Sequence, residues 1–130
     1  MNFSFSKEEK LCSRKAIEAL LKDGKSLFCF PYKVIWVKTE YDQSFPVQIA
    51  FSVPKRRYKH ANKRNILKRR MREGFRLSKA GLYDALTTKN IKIQILIVYI
   101  APEELTYHEM ESKLKIVLEQ IIGSVQATTN

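Results

Sequence analysis

Cysteine, glycine and proline are all scarce in this 130-residue sequence, at two, four and four residues. Cys12 and Cys29 lack CxxC spacing and are expected to be free and reduced. The few glycines form no phosphate-cradling loop, and neither histidine, His60 or His108, belongs to an HExxH motif; GxSxG is absent too. No catalytic constellation is therefore expected in the protein, and no metal site. The carboxylates at Glu103, Glu104, Glu109 and Glu111 flank a helix N-terminus, where the helix dipole accounts for them. Long hydrophobic runs are missing as well. The longest, Ile95 to Ala101, is too short to span a bilayer, and the N-terminus is charged where a signal peptide needs an apolar stretch. The expectation is a soluble cytoplasmic protein with no membrane partner. A 45% hydrophobic content suits one domain over 1–123, with a flexible polar tail over 124–130.

The most informative shortage is of acid in one window. Residues 55–76 hold eleven basic residues and a single acid, Glu73, so this stretch carries +10 of a net charge of +11. The remainder is almost neutral. A near-neutral domain bearing one cationic element implies a polyanionic partner.

Ser13 is placed to cap a helix running to about Lys22, with Gly24 as its left-handed stop. Ser26 to Lys38 reads as strand, divided by Pro31, so that Ser26–Phe30 forms either its beginning or a separate edge strand. A turn is expected over 41–44, then a strand over Val47–Val53. Ala61 to about Leu77 is helical by composition, and Ser78–Asn90 has no clear pattern. Ile91–Ile100 alternates and then becomes continuously apolar, as a strand does in the middle of a covered sheet. Thr106 and Glu109 have capping-box spacing before a last helix with Met110, Leu114, Val117, Leu118 and Ile121 on one face. The result is an α+β two-layer sandwich in the order α-β-β-β-α-β-α.

Around the 61–77 helix, at about 100° per residue, Arg64, Lys68, Arg72, Asn65, Arg76 and Arg69 share an arc of roughly 140°. Ile66, Leu67, Met71, Gly74 and Leu77 occupy the other side, with Arg70 inside the apolar arc. A charged face usually means only solvation, but solvated helices mix signs to offset repulsion, and this ridge contains no acid. Nucleic acid fits better than an acidic membrane, which would require exposed apolar residues opposite the charges. RNA fits better than sequence-read DNA, because the helix follows a strand through a basic loop with no helix-turn-helix context. Tyr32, Val34 and Trp36 alternate on one strand face and are either a base-stacking surface or core, the pattern alone leaning towards core.

The run Phe51-Ser-Val-Pro-Lys55, a basic loop, then Ala61-Asn-Lys-Arg64-Asn65-Ile-Leu-Lys68-Arg69-Arg-Met-Arg72-Glu-Gly-Phe75 closely resembles the signature of the protein subunit of bacterial ribonuclease P. Ser13–Ile17 through Gly24-Lys-Ser26, and Leu105-Thr-Tyr107, extend the resemblance over about Leu11–Gly123. It implies a ribosomal-protein-like fold with a left-handed βαβ crossover. It also implies binding to a catalytic RNA that removes the 5′ leader of precursor tRNA with Mg²⁺, the metal being required by the RNA. The implied RNA-binding residues are Lys55, Arg56, Lys59, Arg64, Asn65, Lys68, Arg69, Arg72 and Arg76. The implied leader cleft, between the first helix and the sheet, takes in Ile17, Leu21, Tyr32, Val34 and Trp36. No obligate protein partner is implied. Ile17 and Leu21 stand where the family usually has phenylalanine. The rival assignment is a basic RNA-binding module of another kind, such as a ribosomal or assembly protein.

Overall fold

Three strands at one end of the sequence and one near the other meet in a single mixed sheet. The computed structural model describes residues 5–40 and 45–128, so the turn expected over 41–44 lies outside the described residues. Helix α1 (Arg14–Asp23) is followed by β1 (Lys25–Cys29), β2 (Tyr32–Lys38) and β3 (Val47–Ser52). Then come α2 (Ala61–Ser78), α3 (Ala80–Thr88), β4 (Ile93–Tyr99) and α4 (Tyr107–Thr128). The strand order is β1-β2-β4-β3, with β3 parallel to β4 and the other pairs antiparallel. β4 lies inside the sheet and is covered on both faces, which the continuously apolar run from Ile95 anticipated.

Local chemistry sets the element ends. Ser13 Oγ accepts a hydrogen bond from the Ala16 N–H (3.2 Å), and Thr106 Oγ1 accepts one from the Glu109 N–H (3.2 Å). Ser26–Cys29 does belong to a separate edge strand, β1, which hairpins onto β2 through the turn at Phe30-Pro31. Gly24 ends α1, but not in the left-handed conformation expected for it: its φ is −72°. Glycine is needed there for space. A Cβ would lie 2.5 Å from the Leu20 carbonyl oxygen and 2.6 Å from Ile35 Cγ2.

Alternation along β2 divides the core. Tyr32, Val34 and Trp36 join Ile49, Ile95 and Ile97 against α2 and α4, where Leu67, Met71, Phe75, Leu114, Val117 and Ile121 are fully buried. On the other face Ile35 and Leu96 pack with Leu11 and Leu20 beneath α1, bordered by Ile17, Val37, Ala50 and Val98. α2 packs closely on α4 because Gly74 has no side chain; a Cβ there would meet Leu114 Cδ2 at 3.1 Å.

Two segments differ from expectation. The patternless connection holds α3, which buries Leu82 and Leu86. At the C-terminal end, where a flexible tail was expected from residue 124, α4 continues to Thr128 and buries Val125. Val125 lies four residues after Ile121 and simply extends the same apolar stripe.

The N-terminal segment is fastened to the helical layer. Phe5 packs edge-on against Phe51 and Phe75, at 6.4 and 5.8 Å between ring centroids. Glu9 is completely buried. It accepts from Lys79 Nζ (2.5 Å), from the Tyr83 hydroxyl and from the Ser6 N–H. Burial by itself would raise the Glu9 pKa, but these hydrogen bonds outweigh it and hold the carboxyl below its usual range. Burial and the Glu9 carboxylate together raise the Tyr83 pKa, so its phenol stays a donor.

Candidate nucleic-acid interface

The interface begins with a short loop whose charges are held outward. Tyr58 turns inward, its hydroxyl donating to the Ala101 carbonyl (2.9 Å) while its ring lies against Tyr99. With Tyr58 as the anchor, Lys55, Arg56, Arg57, Lys59 and His60 are exposed around it. Tyr99 in turn donates to the Glu103 carbonyl and accepts from the Leu105 N–H, and burial pushes its pKa up to about 12.

α2 continues the cationic surface. Its apolar side, including Leu67, Met71, Gly74 and Phe75, is buried, while Asn65, Arg69 and Arg72 are exposed and Lys68 is partly so. Among the described residues, the side chains of Lys68, Arg69 and Arg72, and of Lys55, Arg56, Arg57 and Lys59, make no hydrogen bond or ion pair. Seven cations therefore remain available along one loop and one helix face, which is the electrostatic footprint of a polyphosphate ligand.

The other four basic residues of the window have partners within the fold. Arg64 folds back, its Nη1 donating to the carbonyls of Tyr58 (2.8 Å) and Lys59 (2.9 Å). Arg76 is paired with Glu73, Nη2 to Oε1 at 2.6 Å, and these hydrogen bonds lower the Glu73 pKa. Glu104, from the loop before α4, accepts from Lys63 (2.7 Å) and lies 3.1 Å from Arg70 Nη1. The Lys63 bond is the main cause of the lowered Glu104 pKa. Arg70 also donates to the Leu105 carbonyl (2.8 Å). This explains a cation on the apolar side of the helix: it ties α2 to the entrance of α4.

The Arg64 geometry corrects one expectation. Read as a purely outward ridge residue, Arg64 would be removable at the cost of RNA affinity alone. In the fold it also closes the basic loop. Arg64→Ala is expected to speed amide exchange over residues 55–60 while leaving α2 protected. Unchanged exchange in that loop would contradict the stapling role.

The expected leader cleft needs a larger correction. Tyr32, Val34 and Trp36 are 0–2% exposed and face α2 and α4, with the Tyr32 hydroxyl donating to the Met110 carbonyl (2.9 Å). Ile17 packs on the opposite face, and Leu21 is 56% exposed. The five residues cannot line one surface, because α1 lies over the other set of alternating β2 side chains, which includes Ile35 and Val37. In register with Lys33 on that face are Phe28 of β1, Val98 of β4 and Ser52 of β3. By helix geometry Ile17 and Leu21 share one edge of α1. The opposite edge, with Ala19 and Asp23, borders a groove of about 530 Å³ that also touches Val37, Lys38, Thr39, Glu40 and Gln94. The Ile17/Leu21 edge accordingly looks toward the row of Phe28, Lys33, Val98 and Ser52, next to the basic loop.

Among the described residues, no group of three or more His, Cys, Asp or Glu could hold a metal ion. No helix among them is long and apolar enough to cross a membrane.

Comparison with known proteins finds relatives over most of the chain. The family model described as Ribonuclease P matches residues 5–122. The ribonuclease P protein component of Porphyromonas gingivalis is 30% identical over 127 residues, covering 97% of this chain and 92% of that protein. The one from Chlorobium phaeobacteroides is 36% identical over 105 residues, covering 75% and 72%. The solved ribonuclease P protein from Thermotoga maritima superposes with a TM-score of 0.68 at 24% identity, covering 86% of this chain and 96% of that one. That likeness is one of fold.

Proposed function

Because this chain belongs to the ribonuclease P protein family, we propose that it is the protein component of a ribonuclease P that matures the 5′ ends of tRNA in the cytoplasm. In this reading it binds a catalytic RNA and the 5′ leader of precursor tRNA, and the RNA carries out the cleavage. The observation that carries the reading is the continuous set of unpaired cations on the 55–59 loop and on α2 at Lys68, Arg69 and Arg72. Folded RNA concentrates phosphate where it packs most tightly, and a rigid cationic helix offsets that repulsion without ordering a mobile chain.

Arg56, Lys55 and Lys59 on the loop, with Lys68, Arg69 and Arg72 on the helix, serve as phosphate contacts. Asn65 is exposed beside them and can both donate and accept. Arg64 and Arg76 contribute field from positions fixed by their own partners. In this reading Mg²⁺ is required by the RNA partner and is not held by a protein site. The leader lies on the α1 face of the sheet, along the edge with Ile17 and Leu21.

Reconstitution tests this. Added to a bacterial ribonuclease P RNA at low Mg²⁺, the protein should stimulate cleavage of a precursor tRNA, and the protein alone should cleave nothing. Absence of stimulation would favour a basic RNA-binding module of another kind. Cleavage by the protein alone would overturn the division of labour.

A further inference from the structure

Among the described residues the exposed large apolar side chains are Leu21, Phe28, Phe30, Leu77 and Ile116. The two phenylalanines stand out because Phe28 lies just before the β1–β2 turn and Phe30 within it, at the basic end of the sheet. Phe28 is 66% exposed although it sits in a strand, and it lies on the sheet face that α1 only partly covers. A phenylalanine ring left in water forgoes the stabilisation of burial and keeps its surface available to a ligand. Lys33, directly across the strand pair, places its Nζ over the Phe28 ring at 5.6 Å from the centroid. One ring face thus has a cation, and the high exposure leaves ring surface open to a further partner.

The row continues from Phe28 through Lys33 and Val98 to Ser52, roughly 14 Å across three strand spacings. Ser52 is followed within three residues by Lys55 and the basic loop. An aromatic plate, a cation beside it and a track of cations beyond form the arrangement that holds unpaired nucleic acid: a base stacks while phosphates follow the charges. The α1 edge beside this row offers only the aliphatic Ile17 and Leu21. We propose that Phe28, on the edge strand β1, is the base-stacking residue of this sheet face, and that Lys33 holds the adjoining phosphate of a single-stranded RNA segment. This rests on the leader reading above and assigns its stacking to a residue outside α1.

The test uses the reconstituted complex of the full chain with ribonuclease P RNA. Affinities are measured for a precursor tRNA with a short leader and for the same tRNA without one. The wild-type protein should favour the leader-bearing RNA. Phe28→Ala should reduce that preference about tenfold, the loss of one base–aromatic stack, and leave leaderless binding unchanged. Phe28→Trp should retain the preference. Thermal melts and sedimentation should match wild type, since the ring is exposed. Full preference in Phe28→Ala, or equal losses on both RNAs, overturns the assignment while leaving the leader reading standing. A loss accompanied by altered self-association overturns it in favour of a protein contact along the β1 edge. If the wild-type complex itself does not distinguish the two RNAs, the leader reading falls, and this inference with it.

Discussion

Lys79→Met should lower the unfolding free energy by about 3–5 kcal/mol, because it leaves the Glu9 carboxylate buried without its cation. For a chain of this size that corresponds to a fall in Tm on the order of 10 °C or more. The Tyr83 hydroxyl and Ser6 N–H remain as donors but supply no charge. Combining Lys79→Met with Glu9→Gln should recover much of the loss, since two neutral groups of similar volume no longer confine an ion. The pH dependence follows from the lowered Glu9 pKa. In the wild type the stabilisation is complete above the ordinary carboxylate value of 4.5 and disappears as pH falls through the lower folded value. Lys79→Met raises the folded pKa of Glu9, so the gap between variant and wild type should narrow in acid. Denaturant melts at pH 7 and pH 4 measure both effects. A loss under about 1 kcal/mol at pH 7 would show that the buried pair contributes little.

Replacing Lys68, Arg69 and Arg72 together by Gln should weaken binding to the catalytic RNA and make it less sensitive to salt. Each phosphate contact adds about 0.7–0.9 to the slope of log affinity against log salt, so the slope should fall by roughly 2–3. Replacing Arg76 by Gln should change it much less, since Glu73 already neutralises that side chain. Filter binding across a salt series distinguishes the two. Equal slope changes per residue would mean that the Arg76–Glu73 pair opens when RNA binds. The triple variant should melt near the wild-type temperature, because the three free residues make no internal bonds.

The ridge on α2 was legible in the sequence because helical period and charge told the same story: Leu67 and Met71 inward, Arg69 and Arg72 outward. The partners of the other cations were not, because Glu104 lies more than 30 residues from Lys63 and Arg70, and Arg64 bonds to backbone carbonyls that have no side-chain signature. On β2 the alternation was visible, but its direction was not. Tyr32, Val34 and Trp36 could face either way, as could Ile35 and Val37, and only the position of α1 over Ile35 decides it. Gly81 and the pair Thr87-Thr88 weaken the helical propensity of α3, which survives through the burial of Leu82 and Leu86. The Glu9–Lys79–Tyr83 cluster joins residues 70 and 74 positions apart, a separation that no local pattern encodes.

The two surfaces look in opposite directions. α2 presents its cations away from one side of the sheet, while α1 and Phe28 lie on the other, and the loop between Pro54 and His60 is where they meet. An RNA touching both must turn a corner at the rim of the domain. A stiff double helix resists so sharp a turn, whereas an unpaired strand makes it readily. On the function proposed above, the outline of the protein would sort its ligands before any base is read: structured RNA on the helical side, loose strand on the far side.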